Sequence, residues 1–572
     1  MLEDAVIDID ITVSPFSTFP NWFSRIGNKY LDEKVFFVQN SEDATGEWKG
    51  ATFTELSKSV QSCARALHSL GLRKGMVVAF IAANCLEWDI VHYACLTIGA
   101  VVLGIDFHSP KEQQFAAIAD SKARFLFTDK EERLADIDLK EILIEDVILL
   151  KEPTAAAKHL FKYHIFSALI EKLPEEVHFT VHAEDPAILV YTSGTTASPK
   201  GIVYTHRQLL LALDAMQEHY KEVKEYSADE RTVACWMPLS NLFQRMLNMF
   251  ALEHAFRIFY CPNPVNFINH LPHIRPSILV GVPRLFEKVA NEAIRKIRFV
   301  PRFLRPIILK LFVGPMIKRI FGGKIKALAS GSSKTPMHVL ELFEGIGLPI
   351  YEIYGMSENI IPMAGNNKNR YRMGSVGIGF RYNKIRVAED GEIFVNSPGI
   401  GSSCAKQSVT SLLESKSDYF ATKDLGLIDP DGFLYVDGRK DNVIKTSTGV
   451  RILCDDLEKN LISIQDIEQA VLVGNGRKLL TAIVASKSAE DELARKIHEI
   501  NEQLPSRYRL HGILIRDTPF SIASDLITSN LKLKRQKIEQ FYAKDLDALY
   551  IDIEQSFNKQ TVGCLPSVRK IL

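Results

Sequence analysis

From Phe53 onward the chain alternates two kinds of apolar pattern. LSKSVQSCARALHSLGL (residues 56–72) spaces its apolar residues along one helical face, whereas KGMVVAFIA (74–82) is a short apolar run closed by polar residues. The first predicts an amphipathic helix and the second a buried strand. The pair recurs as LEWDIVHYACLTIGA (86–100) and VVLGID (101–106), and further strands are expected at KARFLFTD, EDVILL, PAILVYT, RTVACWMP, SILVGVP, KIKALASG and LPIYEIYG. Such alternation predicts parallel sheet covered by helices. The loops that follow these runs are polar or contain glycine, and open α/β sheets place their ligands at the carboxyl ends of strands.

After Ser375 the texture changes. RYNKIRVAEDGEIFVNSPG and LIDPDGFLYVDGR are short alternating segments joined by Asp-Gly turns, which predicts antiparallel β structure. From about Lys440 mixed strands and helices return. The expected fold class is α/β, with a large N-terminal domain of mostly parallel sheets covered by helices, a β-rich part, and a smaller α+β C-terminal domain.

Composition narrows the field without adding chemistry. At 572 residues the chain is too long for one hydrophobic core. Lys+Arg and Asp+Glu balance at 69 each, so no global field directs it to nucleic acid. The eight cysteines are scattered, without a C-x-x-C pair or a nearby His cluster. This argues against a zinc site or a disulfide framework and makes a reducing cytosol the default. The opening MLEDAVIDIDITV has no basic region before an apolar run, so it does not read as a signal peptide. There is also no uninterrupted apolar stretch of about 18 residues, as a spanning helix would need. The expected location is cytoplasmic.

The most informative segment is Tyr191-Thr-Ser-Gly-Thr-Thr-Ala-Ser-Pro-Lys-Gly201, directly after the apolar run PAILV. Gly194 and the small hydroxylated residues Thr192, Ser193, Thr195 and Thr196 let backbone N–H groups approach an anion, and Lys200 adds a positive charge. That chemistry suits a nucleotide's phosphates, although the spacing is not that of a Walker A loop. The bland alternative for the segment alone is a Ser/Thr-rich turn. The loop resembles the signature of the adenylate-forming superfamily of acyl-CoA synthetases, luciferases and peptide-synthetase adenylation domains. It departs at Ala197, where that family usually has glycine; alanine would be strained at a positive φ. PLSNLFQR (238–245), GVPRLFEK (281–288), SGSS (330–333) and YEIYGMSE (351–358) follow in the family's order, and GVPRLFEK is similar to a stretch of long-chain fatty acyl-CoA synthetases. The resemblance runs from about Phe53 to Tyr542, and it sets the expected domains at 1–438, β-rich from about 375, and 439–572.

The resemblance implies roles residue by residue. Tyr354 offers adenine a flat face, Glu352 accepts from the adenine amino group, and Gly331 and Ser332 line the other side of the ring. Gly355 and Ser357 complete this nucleotide motif, with Ser357 standing where the family usually has threonine. Glu358 is the implied Mg²⁺ ligand. Asp424 holds the ribose hydroxyls, since one carboxylate can accept two hydrogen bonds, and Arg439 lies near ribose and phosphate. Asp441 is the implied hinge of a mobile C-terminal domain. Lys532 is the adenylation lysine, with Lys534 as a competing assignment, and Gly449 borders a channel for coenzyme A. Trp236, Asn241 and Gly281 are expected to line an acyl pocket. Lys423 replaces a usual glycine and Asn442 a usual acidic residue.

The implied activity joins ATP, Mg²⁺ and a carboxylic acid, medium- or long-chain fatty acids first, into acyl-AMP, and then transfers the acyl group to coenzyme A. Two alternatives stay open: an acyl-AMP ligase that loads a separate phosphopantetheine carrier protein, and a degenerate relative that binds acyl groups or nucleotide without turnover. Amino-acid adenylation is disfavoured, because no acidic residue lies around Trp236 to Phe243. One segment falls outside this scheme. Residues 295–326 carry ten basic residues and no acidic one, interleaved with apolar side chains. They fit peripheral contact with an anionic membrane, or two helices with a solvated basic face, or a patch for coenzyme A phosphates.

Overall fold

A computed structural model of the chain describes residues 18–30, 32–39, 48–134, 142–152, 163–171, 176–192, 200–297, 301, 304–403, 419–448, 450–462, 464, 466–521, 524, 526–527, 533–558 and 566–570. Two compact units are present: Met1–Ala388 with Phe394–Thr422 and Leu427–Val436, and Glu389–Ile393 with Lys423–Gly426 and Asp437–Leu572.

The first unit is built around an eight-stranded sheet. Its order is Ser402–Ser403, Lys200–Thr205, Pro186–Thr192, Val101–Gly104, Val77–Ile81, Phe125–Thr128, Asp146–Leu149 and Tyr163–Ile165. Val77–Ile81 pairs in parallel with Val101–Gly104 on one side and Phe125–Thr128 on the other. Strands covered on both faces read as continuous apolar runs, and Val78 to Ile81 are all fully buried. Local chemistry punctuates the helices between them. Phe53–Ser69 starts at a capping box in which the Thr52 hydroxyl accepts the Glu55 N–H at 3.2 Å and the Glu55 carboxylate accepts the Thr52 N–H at 2.7 Å. Leu86–Ile98 stops at Gly99, whose φ of 84° suits glycine.

A five-stranded sheet follows in the order Ile278–Gly281, Ala327–Ser330, Ile350–Met356, Asn359–Gly365, Ile378–Gly379. Its first three strands are parallel and the last two antiparallel. A four-stranded sheet runs Thr232–Cys235, Arg257–Tyr260, Lys34–Gln39, Trp48–Thr52. The β texture after Ser375 forms a further sheet, in the order Lys384–Val387, Glu392–Asn396, Phe420–Ile428, Leu434–Arg439.

The second unit has a mixed sheet ordered Ile467–Val473, Leu480–Ser486, Leu510–Arg516, Ser567–Lys570. Successive strand residues serve opposite faces. Leu472, Ala482, Val484, Ile513 and Ile515 pack with Leu493 and Ile497 of the helix Glu490–Gln503. Val471, Val473, Ile483 and Leu514 pack with Leu549 and Ile553 of the helix Ala543–Asn558. These are the α/β and α+β parts that the apolar pattern predicts.

Candidate active site

The parallel part of the five-stranded sheet ends in a row. Gly281 pairs with Ser330, and Ser330 with Glu352, across parallel ladders. The Gly331 N–H donates to the Gly281 carbonyl at 3.1 Å, and Ser332 turns the chain away with φ 76°. A left-handed serine costs backbone energy, and such positions concentrate at functional sites. Glu352 is buried, and its carboxylate accepts the Thr335 N–H at 3.1 Å, while the Thr335 hydroxyl donates to Ser330 Oγ at 2.9 Å. Glu352 is therefore anchored from its own side of the row. Tyr354, two residues on and on the same strand face, is half-buried, and Gly355 is exposed.

The strand then reverses into Asn359–Gly365 through Ser357 and Glu358, with Met356 opposite Asn359. Two bonds clamp this tip. The Gly401 N–H donates to the Glu358 carbonyl at 3.0 Å, and the Tyr204 hydroxyl donates to the Ser357 carbonyl. Tyr204 lies on Lys200–Thr205, the strand that follows the Ser/Thr-rich segment, and the hairpin sets Thr192 opposite Lys200. Burial, and then the nearby Glu358 charge, push the Tyr204 phenol well above its ordinary value, so it stays a donor. The structure thus brings the stem of the loop and the candidate metal carboxylate together. Ser193, Gly194, Thr195, Thr196 and Ala197 lie outside the described residues.

The segment expected to form the acyl pocket is held from behind. Trp236 is buried, stacks on Phe267 at 4.5 Å, and donates its indole N–H to the Val280 carbonyl at 2.8 Å, next to Gly281. A Cβ on Gly281 would meet Leu285 Cδ2 at 2.9 Å, so a larger residue there requires the Leu285 side chain to shift. A Cβ on Gly104 would meet the Ser240 backbone at 2.8 Å, which seats the segment on the central sheet. Asn241 is exposed and caps the helix Leu242–Glu253, its side chain accepting the Phe243 N–H at 3.0 Å. Its position gives it a local structural role.

Behind this segment runs a buried polar network. Asn84 accepts the Leu239 N–H and donates to the Met237 carbonyl, both at 2.9 Å. Gln244 accepts the Met237 N–H at 3.2 Å and donates to Asn248 at 2.8 Å; Asn248 donates to Asp89 at 2.7 Å, and Tyr260 donates to the same carboxylate oxygen at 2.6 Å. Burial raises Asp89 to about 6, against the opposing effect of these donors and of the Arg245 charge. Burial lowers Arg245 to about 10; its guanidinium lies over Trp88 at 5.5 Å.

In the second unit Asp424 is buried and accepts from Arg439 Nη1 at 3.1 Å. Lys423 has φ 62°, the left-handed backbone for which glycine is suited. Lys440 reaches Asp390 at 2.8 Å and Glu392 at 2.5 Å, and those bonds raise its pKa. Asp441 follows in the 3-10 turn Lys440–Asn442. Gly449 and Lys532 lie outside the described residues, whereas Lys534 precedes the helix Arg535–Phe541 and its N–H donates to the Leu526 carbonyl at 2.9 Å. A cleft of about 90 Å³ is lined by Thr446, Thr448, Lys478, Arg507, Arg509 and His511, and none of its lining residues is acidic.

A family model described as AMP-binding enzyme matches residues 23–403, and one described as AMP-binding enzyme C-terminal domain matches 441–554. The chain belongs to the AMP-binding enzyme family. Within that family it is 26% identical over 564 residues to the long-chain-fatty-acid–CoA ligase FadD15 of Mycobacterium bovis, covering 88% of this chain and 93% of the relative. It is 24% identical to the human long-chain-fatty-acid–CoA ligase ACSBG2, covering 93% and 92%. Among solved structures, the A domain of carboxylic acid reductase from Segniliparus rugosus, in complex with AMP and a co-purified carboxylic acid, aligns with TM-score 0.76 at 16% identity over 94% of each chain. O-succinylbenzoate coenzyme A synthetase of Bacillus subtilis, in complex with ATP and magnesium ion, aligns with TM-score 0.69 at 18% identity over 91% and 99%. These likenesses establish the adenylate-forming fold.

For an AMP-binding enzyme the sequence motifs name most of the row but miss its supports. Thr335, Tyr204, Gly104, Asn84 and Asp89 belong to no quoted motif. The signal that could have found Tyr204 is its place in the sequence, three residues after the segment Tyr191–Gly201. Among the described residues no helix is long and apolar enough to cross a membrane.

Proposed function

We propose that this AMP-binding enzyme activates a medium- or long-chain fatty acid as acyl-AMP and passes the acyl group to coenzyme A. The observation that carries the reading is the row of Gly281, Ser330 and Glu352 with its clamped tip, where the Ser357 and Glu358 carbonyls are held by Tyr204 and Gly401, Tyr204 lying on the strand Lys200–Thr205. The fatty acid is suggested by relatives named as long-chain-fatty-acid–CoA ligases, which align over most of this chain. The basic cleft lined by Lys478, Arg507 and Arg509 suits the phosphates of coenzyme A.

In this reading Thr192, Ser193, Gly194, Thr195, Thr196 and Lys200 hold the phosphates, Gly331, Ser332, Glu352, Tyr354, Gly355 and Ser357 hold adenine, and Asp424 and Arg439 hold the ribose. Trp236 and Gly281 shape the acyl side, with Asn241 as cap of the helix behind it. Glu358 fits Mg²⁺, because a cation that bridges phosphates needs only one or two carboxylates. When bound, Mg²⁺ would neutralise charge on the departing pyrophosphate. The acid's carboxylate attacks the α-phosphorus, pyrophosphate leaves, and Lys532, or Lys534 in its place, stabilises the charge that develops. Residues 439–572 turn about Asp441 before the thiol attacks the acyl carbonyl, breaking the acyl–phosphate bond and releasing AMP.

The test is acid-dependent pyrophosphate release from ATP and Mg²⁺ across fatty, aryl and amino acids, with and without coenzyme A, with products identified by mass spectrometry. Fatty acyl-CoA is the expected product. Acyl-AMP that accumulates despite coenzyme A would move the acceptor to a carrier protein. Absence of pyrophosphate release with every acid would sink the reading in favour of a binding protein.

A further inference from the structure

The helical stretch after residue 303 is apolar on two opposite faces. It comprises Arg305–Ile308, a π turn at Leu309–Val313 and Gly314–Ile320. Leu309, Val313 and Ile317, at helical spacing, pack inward against the core that contains Phe286, Phe343 and Leu348. The opposite face carries Leu304, Ile307, Leu311 and Phe312, which are 38%, 54%, 61% and 67% exposed. A helix that packs one face on a core normally turns polar residues outward, and a cluster of large exposed side chains marks an interaction surface.

The charges around this face decide what it fits. Of the basic residues nearby, Arg295 pairs with Glu292, Lys324 with Asp229 and Lys326 with Glu230. Lys310, Lys318 and Arg319 are exposed, and among the described residues none of them has an acidic partner. They flank the apolar face, within a stretch from 295 to 326 that contains no Asp or Glu. Apolar side chains bordered by unpaired cations match a layer whose interior is hydrocarbon and whose surface is anionic.

We infer that Leu304, Ile307, Leu311 and Phe312, flanked by Lys310, Lys318 and Arg319, form a docking face for an anionic phospholipid surface. The four apolar side chains enter the acyl boundary and the three cations lie against the headgroups. The attachment is peripheral, and it is independent of the chemistry proposed for the active site.

The full chain is tested by co-sedimentation with phosphatidylcholine vesicles with and without phosphatidylserine, at low and high salt. Binding is expected only with phosphatidylserine, and it should weaken as salt rises. Each of Lys310→Glu, Lys318→Glu and Arg319→Glu should lower the partition coefficient by about fivefold or more, since a basic residue near an anionic surface contributes about 1 kcal/mol. Leu311→Ser with Phe312→Ser should reduce binding at least tenfold; both side chains are exposed, and circular dichroism should be unchanged. The proposal is overturned if the chain stays in the supernatant with anionic vesicles at low salt, or if the charge and serine variants bind as the parent does. Concentration-dependent self-association in sedimentation velocity, abolished by the serine variant while vesicles never bind, would assign the face to a second copy instead.

Discussion

The row of Gly281, Ser330 and Glu352 and the network behind the acyl segment occupy the same unit but are assembled differently. Backbone ladders place the row, so Gly281 and Ser330 sit where their strands end and Glu352 is paired to them from inside its longer strand. Side chains assemble the network: Asn84, Asp89, Gln244, Asn248 and Tyr260 come from four separate segments and meet through single hydrogen bonds in the interior. A ladder tolerates many side-chain changes, because its bonds belong to the main chain. A buried polar network tolerates few, since removing one member strands another without water. Chemistry and stability should therefore separate between the two regions.

The largest expected effect lies at the tip beside the row. Glu358→Gln should lower the rate of acid-dependent pyrophosphate release by about a hundredfold or more, with the melting temperature nearly unchanged because Glu358 is half-buried and its backbone supplies the clamp. A large drop in melting temperature would break the comparison.

Next in size is a pH effect in the network. Asp89 binds its proton near pH 6 in the folded chain, against an ordinary value of 3.8. Between those values the folded state holds a proton that the unfolded state has released, so this group's contribution to stability falls as pH rises through the window. The whole span is at most about 3 kcal/mol, from 1.36 kcal/mol per unit. Asp89→Asn should flatten the stability profile between about pH 4 and 6, as measured by urea unfolding. An unaltered slope there would mean that Asp89 is ionised throughout.

Smaller changes sharpen the division. Asn241→Ala should cost about 1 kcal/mol of stability, the usual worth of a helix cap, and leave the KM for the acid substrate unchanged. A changed KM with intact stability would return Asn241 to the acyl pocket. Lys423→Gly should act in the other direction. Its φ of 62° strains a lysine, so glycine should stabilise the fold by up to about 1 kcal/mol once its greater unfolded-state freedom is counted, visible as a raised denaturation midpoint.

The same contrast explains what could be read in advance. The strands at Val77–Ile81, Val101–Gly104, Ile278–Gly281 and Ile350–Met356 follow from apolar runs, because burial on both faces leaves that mark in one dimension. Glu352 and Glu358 could be read as candidates because one motif packs several candidate positions into one strand and turn. Thr335 could not, since its tie to Glu352 spans 17 residues and nothing local distinguishes it from any other threonine. Asp89 lies in a segment whose pattern says only that it is a helix, and only the structure shows Leu86–Ile98 buried from Trp88 to Leu96. Lys423 was legible as a departure from glycine, but the left-handed backbone that gives the departure a consequence was not.

The sheet of the second unit has a consequence for how that unit comes apart. Val471 and Leu472, Ala482 and Ile483, and Ile513 and Leu514 are neighbours in sequence that belong to cores on opposite faces. Neither covering helix can lift away without wetting strand residues whose neighbours support the other helix. The two layers therefore share one unfolding transition, and amide protons of Leu480–Ser486 and Leu510–Arg516 should exchange with solvent only when the whole unit opens.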